Sequence, residues 1–162
     1  MTDPAVLERL PAEARGKVYQ CNLKQLGIHD YGRLQVRGFN QPPSPPTLEL
    51  YFNGEPMTLA RWPNRGFVRP RELVDPGDKG RPAVLRYEDD RHARWVNAPD
   101  GWLFGYFRYL WADSTIKIGA IDPAKKTLTT AAPYRYSQEV QSMDDSQGII
   151  YYAFNLLEEI DT

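Results

Sequence analysis

Asn53-Gly54 stands between two runs in which apolar and polar residues alternate, "LELYF" and "EPMTLA". No other feature constrains the fold of this chain as tightly. A two-residue hairpin loop needs positive φ at its centre, which Asn and Gly tolerate best, so the pair predicts a hairpin. Counting outwards fixes the register. Phe52 faces Glu55, Tyr51 faces Pro56, Leu50 faces Met57 and Leu48 faces Leu59. This register gathers Leu48, Leu50, Phe52, Met57 and Leu59 on one face, and a one-residue slip would scatter them. The expectation is that this face belongs to the core. Pro56 has no N–H to offer an outer neighbour. Counting on, Arg61 reaches Pro46, where the partner run dissolves into prolines. "ARWPN" is therefore expected to leave the sheet, with Arg61, Trp62 and Asn64 free to face a partner body.

Short alternating segments and turn signals fill most of the remaining chain. "KVYQCNL", "RLQVRGF", "AVLRYE", "ARWVNA", "WLFGYFRYLW", "TIKIGAID", "TLTTAAPYRY" and "IIYYAFNLL" all read as strands. "WLFGYFRYLW" is large on both faces, with Trp102, Phe104 and Tyr106 on one and Leu103, Phe107, Tyr109 and Trp111 on the other. Such a strand is central, or lies against a neighbouring body. Gly119 marks a candidate bulge in "TIKIGAID". "NQPPSPPT" reads as a stiff extended connection. Residues 63–82 and "SQEVQSMDDSQG" read as loops. Helix is expected only near the ends. Asp3 and Pro4 open a short one that Pro11 stops, and "LLEEIDT" suggests a final turn. The fold class is all-β: an antiparallel sandwich or partly open barrel of about ten short strands, in one domain over residues 1–162.

Composition narrows the function classes. The net charge is −1 with no basic stripe, which argues against nucleic acid as a partner. No apolar run approaches the roughly 20 residues that span a bilayer. Cys21 is the one cysteine, so it is expected as a small buried hydrophobe. His29 and His92 stand beside Asp residues without further ligands at metal spacing, and no phosphate loop or nucleophile elbow occurs. No metal, cofactor or catalytic residue is expected. The carboxylate pairs Asp89/Asp90, Asp144/Asp145 and Glu158/Glu159 are candidates for acid–base work, but adjacent strand residues point to opposite faces. They are read as surface groups.

The aromatics carry a stronger signal. The chain has 4 Trp and 10 Tyr. Trp62, Trp95, Trp102 and Trp111 neighbour Arg61, Arg94, Asp100 and Asp113. Exposed rings beside polar groups stack on sugars or partner surfaces, whereas buried ones fill a core with Arg packed over them. Both readings stay open. The candidate interface or glycan-binding residues are Arg61, Trp62, Asn64, Trp111 and Asp113.

"LELYFNGEPMTLARWPN", "VLERLPAEARGKVYQCNLKQLGIHDYG", "RWVNAPDGWLFGYFRYLWADSTIKIGAID" and "YYAFNLLEEIDT" together resemble, in order, the insertion domain of right-handed β-helix glycoside hydrolases of the family 141 type. The resemblance implies a β-rich module inserted in a β-helix parent that is secreted or periplasmic. It also implies that the catalytic carboxylates lie on the β-helix, so none carries over to this chain. The partners implied are the β-helix of the same parent and an oligo- or polysaccharide.

Overall fold

The computed structural model describes residues 3–45, 47–77, 81–131 and 148–161. Helix α1 (Pro4–Arg9) begins as expected, with the Asp3 carboxylate accepting from the Ala5 N–H and Pro4 in the first turn. Ten strands follow among the described residues. They are β1 (Arg37–Gly38), β2 (Tyr51–Phe52), β3 (Glu55–Pro56), β4 (Arg61–Trp62), β5 (Glu72–Asp75), β6 (Val84–Arg86), β7 (Trp102–Tyr106), β8 (Asp113–Asp122), β9 (Thr127–Thr130) and β10 (Ile150–Phe154). The fold is all-β and every strand pair is antiparallel.

Strand β8 joins two halves of one open sheet, ordered β4-β10-β7-β8-β9-β6-β5, with β1 also paired to β8. Its first half pairs with β7, and its second half with β9. The register shifts between Ile118 and Ala120, so Gly119 is the bulge that the sequence predicted. A bulge bends its strand. Here it separates the two halves, whose apolar faces share one core. Leu103, Ile116, Tyr151 and Ala153 come from one half, and Leu85, Tyr87 and Leu128 from the other. Trp95, only 1% exposed, packs with both. The sheet does not close, and β4 and β5 are its end strands.

Gly105 lets β7 and β10 approach. A Cβ there would lie 2.2 Å from the Ile150 carbonyl oxygen and 2.8 Å from the Tyr151 Cα. No side chain fits between two paired backbones at those distances.

The hairpin forms in the predicted register, Tyr51 with Pro56 and Phe52 with Glu55, and the Met57 N–H donates to the Leu50 carbonyl at 2.7 Å. Asn53 and Gly54 both take positive φ, as the turn requires. Its apolar face is not core, however. Leu48, Leu50, Phe52, Met57 and Leu59 are 49–67% exposed, and β2 and β3 pair only with each other. Turn chemistry set the register locally, and no other described strand pairs with the result.

Other expectations also fail for local reasons. "KVYQCNL" forms no strand. The Asn22 side chain instead accepts from the Gln25 N–H and starts a 3-10 turn at Leu23–Leu26, leaving Tyr19 and Cys21 exposed. "ARWVNA" forms no strand: its first three residues end a 3-10 turn, Arg91–Trp95, led by Asp89, whose carboxylate accepts from the Arg91 N–H at 2.8 Å. Residues 63–82, read as loop, contain β5. The final turn is a 3-10 turn at Leu157–Glu159. The strand expected past Ala131, most of "SQEVQSMDDSQG" and the Asp144/Asp145 pair lie outside the described residues.

Candidate functional site

Arg61 and Trp62 do not leave the sheet. They form β4 and pair with Phe154 and Ala153 of β10. Alternation then sends their side chains to opposite faces. Trp62 packs against the core, edge-on to His92 at 5.2 Å and to Trp95 at 5.8 Å. Arg61 lies on the outer face, its guanidinium 3.4 Å from the centre of the Tyr152 ring. It donates to the Pro63 and Gly66 carbonyls at 2.8 and 2.6 Å. Asn64 donates to the carboxylate of Asp161.

Trp111 and Asp113 sit elsewhere. Asp113 opens β8 opposite Tyr106, and its carbonyl accepts from the Phe39 N–H at 3.0 Å. β8 is three strand spacings from β4, about 14 Å. The five candidates therefore form two groups. Trp111 is 59% exposed, stacked on Tyr109 at 5.2 Å and edge-on to Phe39 at 5.0 Å.

Between the two groups runs an aromatic outer face. Strand register puts Phe104 opposite Tyr152 and Trp102 opposite Phe154. Phe67 packs on this face within 5.7–6.4 Å of Phe104, Tyr106 and Tyr152. Burial raises the Tyr152 phenol above its ordinary pKa, and the Arg61 charge opposes the shift.

Two clefts flank the hairpin. One, of about 810 Å³, lies between its apolar side chains Leu50, Met57 and Leu59 and the C-terminal turn, with Arg61 and Asn64 in its wall. The other, of about 610 Å³, is lined by Tyr31, Arg33, Asp100, Trp102, Lys117 and Asn155, with Leu48 and Leu59 of the hairpin base on one side. Both fall within the ~300–1,000 Å³ of small-molecule sites. In the smaller cleft Lys117 Nζ is 3.2 Å from Asp100 Oδ1, and the Asn155 amide donates to the Asp100 carbonyl at 2.8 Å. Sequence neighbourhood pairs Trp102 with Asp100, but it does not reveal Lys117. The register of β7 on β8 does, by setting Lys117 opposite Trp102.

A buried polar cluster lies on the other side of the sheet. Glu158 and Glu159, read as surface groups, are 4% and 2% exposed. Glu158 takes a two-pronged contact from Arg9 at 2.6 and 3.2 Å. Glu159 takes Arg91 at 2.5–3.2 Å and the Trp95 indole N–H at 2.6 Å. These partners hold α1 and the Arg91–Trp95 turn onto the C-terminal turn. His92 stacks flat on Tyr87 at 4.3 Å and shares a 2.7 Å hydrogen bond with the Tyr151 hydroxyl. Burial pushes its imidazole down to about 4, against the pull of Asp89. At 2% exposure His92 cannot meet a substrate proton at the ~3 Å that acid–base catalysis needs. Asp89 and Asp90 are exposed at the turn, and Asp90 pairs with Lys126 at 2.8 Å. Among the described residues no group of three or more His, Cys, Asp or Glu is placed to hold a metal ion.

The chain matches no protein-family model, no curated protein and no solved structure.

Proposed function

We propose that this chain is a non-catalytic accessory module of a larger carbohydrate-active protein, an insertion that docks on a glycoside-hydrolase-type β-helix through its hairpin. One observation carries the reading: a hairpin with well-defined register presents Leu48, Leu50, Phe52, Met57 and Leu59 at 49–67% exposure. Contiguous apolar surface of this kind on an ordered element is what a docking face requires. The hairpin lies beside α1 and the C-terminal turn, because Arg9 and Leu157 line the same cleft as Leu50 and Met57. The four exchanges Leu48→Ser, Leu50→Ser, Phe52→Ser and Met57→Ser test the idea when combined. In the isolated chain the combined loss should stay under about 2 kcal/mol, since each of the four side chains is about half or more exposed. In the full gene product the same change should lower the unfolding midpoint clearly. An equal, small effect in both settings would contradict docking.

A second reading, direct carbohydrate binding through exposed Trp and Arg, draws support from the Trp111–Tyr109 stack. Its test is loss of glycan binding on Trp111→Ala with the fold unchanged. Binding that survives the change would remove it.

A further inference from the structure

We infer that the outer edge of β2 takes up an extended strand of the partner body, so that docking completes a three-stranded sheet. This rests on the docking reading above and names the backbone contact by which docking is made.

Hydrogen-bond phase decides which backbone groups of the hairpin are left over. Facing residues of an antiparallel pair alternate between bonded and non-bonded. Leu50 and Met57 are a bonded pair, with the Met57 N–H on the Leu50 carbonyl at 2.7 Å. Tyr51 and Pro56, one step nearer the turn, are therefore a non-bonded pair, and both turn their backbone groups outward. On β3 that outward position is a proline with no N–H to give, so its edge is blunted. On β2 it is Tyr51, with both an N–H and a carbonyl. Alternation turns the same groups of Glu49 outward. The Tyr51 hydroxyl donates to the Glu49 carboxylate at 3.3 Å, which puts both side chains on one side of an extended segment. No other described strand pairs with β2, and neither Glu49 nor Tyr51 lines the two clefts beside the hairpin. The Leu48 N–H donates to the Tyr31 carbonyl at 3.1 Å, so the base of β2 is held while its edge stays open.

An edge of this kind selects its occupant. N–H and carbonyl groups that recur every second residue match another extended strand. A helix satisfies its backbone groups internally, so it can cover the apolar face but cannot answer the edge. A third strand also supplies what the hairpin lacks, because two strands alone are marginal in water and three with an apolar face hold together. The added strand carries apolar residues at alternate positions, which extend the row of Leu48, Leu50 and Phe52 on one face. Its polar alternates fall beside Glu49 and Tyr51 on the other.

Residue-resolved amide exchange in the isolated chain and in the full gene product is the test. The Tyr51 N–H has no partner among the described residues and reports the edge. The Met57 N–H is bonded within the hairpin and reports the hairpin itself. Strand addition predicts that both slow in the full product, Tyr51 by roughly tenfold or more. Tyr51→Pro then removes the outward N–H at an edge position of the kind that tolerates proline, as Pro56 does opposite. In the full product this variant should lose the slowing at Met57, while Met57 exchange and circular dichroism of the isolated chain stay unchanged. Slowing at Met57 that survives Tyr51→Pro would overturn strand addition. So would slow Met57 with fast Tyr51 in the unaltered full product, an outcome that leaves docking through the apolar face in place. Fast exchange at both would overturn docking and strand addition together. Slow Tyr51 exchange in the isolated chain, at the mass of a dimer, would make the occupant a second copy and overturn the assignment to the partner. Where Tyr51→Pro disturbs the isolated hairpin, the unaltered Tyr51 amide decides alone.

Discussion

At the scale of single residues, the chain's most consequential groups are its buried charged and titratable ones. Glu159 is fully enclosed and answered by Arg91, whereas the Arg86–Glu72 pair lies at the surface. Removing one partner of a buried pair leaves an uncompensated charge; removing a surface partner does little. Arg91→Ala should therefore cost about 3 kcal/mol and Arg86→Ala less than about 1 kcal/mol, as read from urea midpoints. His92 makes a pH prediction. In the unfolded chain its imidazole protonates near pH 6.5, but in the folded one only near pH 4. Across that window the unfolded state holds a proton that the native state refuses, so stability falls as the pH falls. The loss reaches about 3 kcal/mol at the bottom of the window. His92→Phe should be less stable at neutral pH, because the Tyr151 hydroxyl loses its partner, yet flatter in pH. An equally steep wild-type slope in the variant would show that other groups control it. Little of this was legible in sequence. Glu158 and Glu159 read as surface groups because the arginines that answer them stand 149 and 68 positions away.

At the scale of elements, what was legible is what is local. The Asn53-Gly54 turn, the register of its arms, the Asp3–Pro4 helix start and the Gly119 bulge each depend on a few neighbouring residues. Whether an element is buried depends on the rest of the molecule. The hairpin shows the difference: its pairing was predictable, and the exposure of its apolar face was not. "ARWPN" shows the converse. Its residues end the hairpin in sequence but begin an edge strand on β10, a pairing about 90 positions distant. Gly105 is an element-scale constraint that its neighbours alone do not reveal. Gly105→Ala should cost about 2–3 kcal/mol, because β7 and β10 must part to admit the methyl group. Gly54→Ala should cost about 1–2 kcal/mol for a different reason: nothing crowds it, but its φ is +83°. Thermal unfolding of the two variants checks both values, and a neutral Gly105→Ala would mean that the strands have slack.

At the scale of the whole molecule, one sheet bent at Gly119 encloses a single core and leaves two distinct surfaces. The outer face of β7 and β10 is aromatic and ends at the Trp102 cleft. The hairpin lies beside it with an apolar face that stays 49–67% exposed. The candidate residues of the sequence fall into two groups on this body, Arg61, Trp62 and Asn64 at the β4 edge and Trp111 and Asp113 at the start of β8. The grouping was not legible, because it follows from β4 and β8 lying at separate positions in the strand order. Docking through the hairpin is the central claim, and hydrogen exchange reads it most directly. Amide exchange over residues 48–59 is followed by mass spectrometry in the isolated chain and in the full gene product. The account predicts fast exchange in the isolated chain and strong protection in the full product, with the core strands β7 and β10 protected alike in both. Equal, fast exchange of the hairpin in both would contradict it.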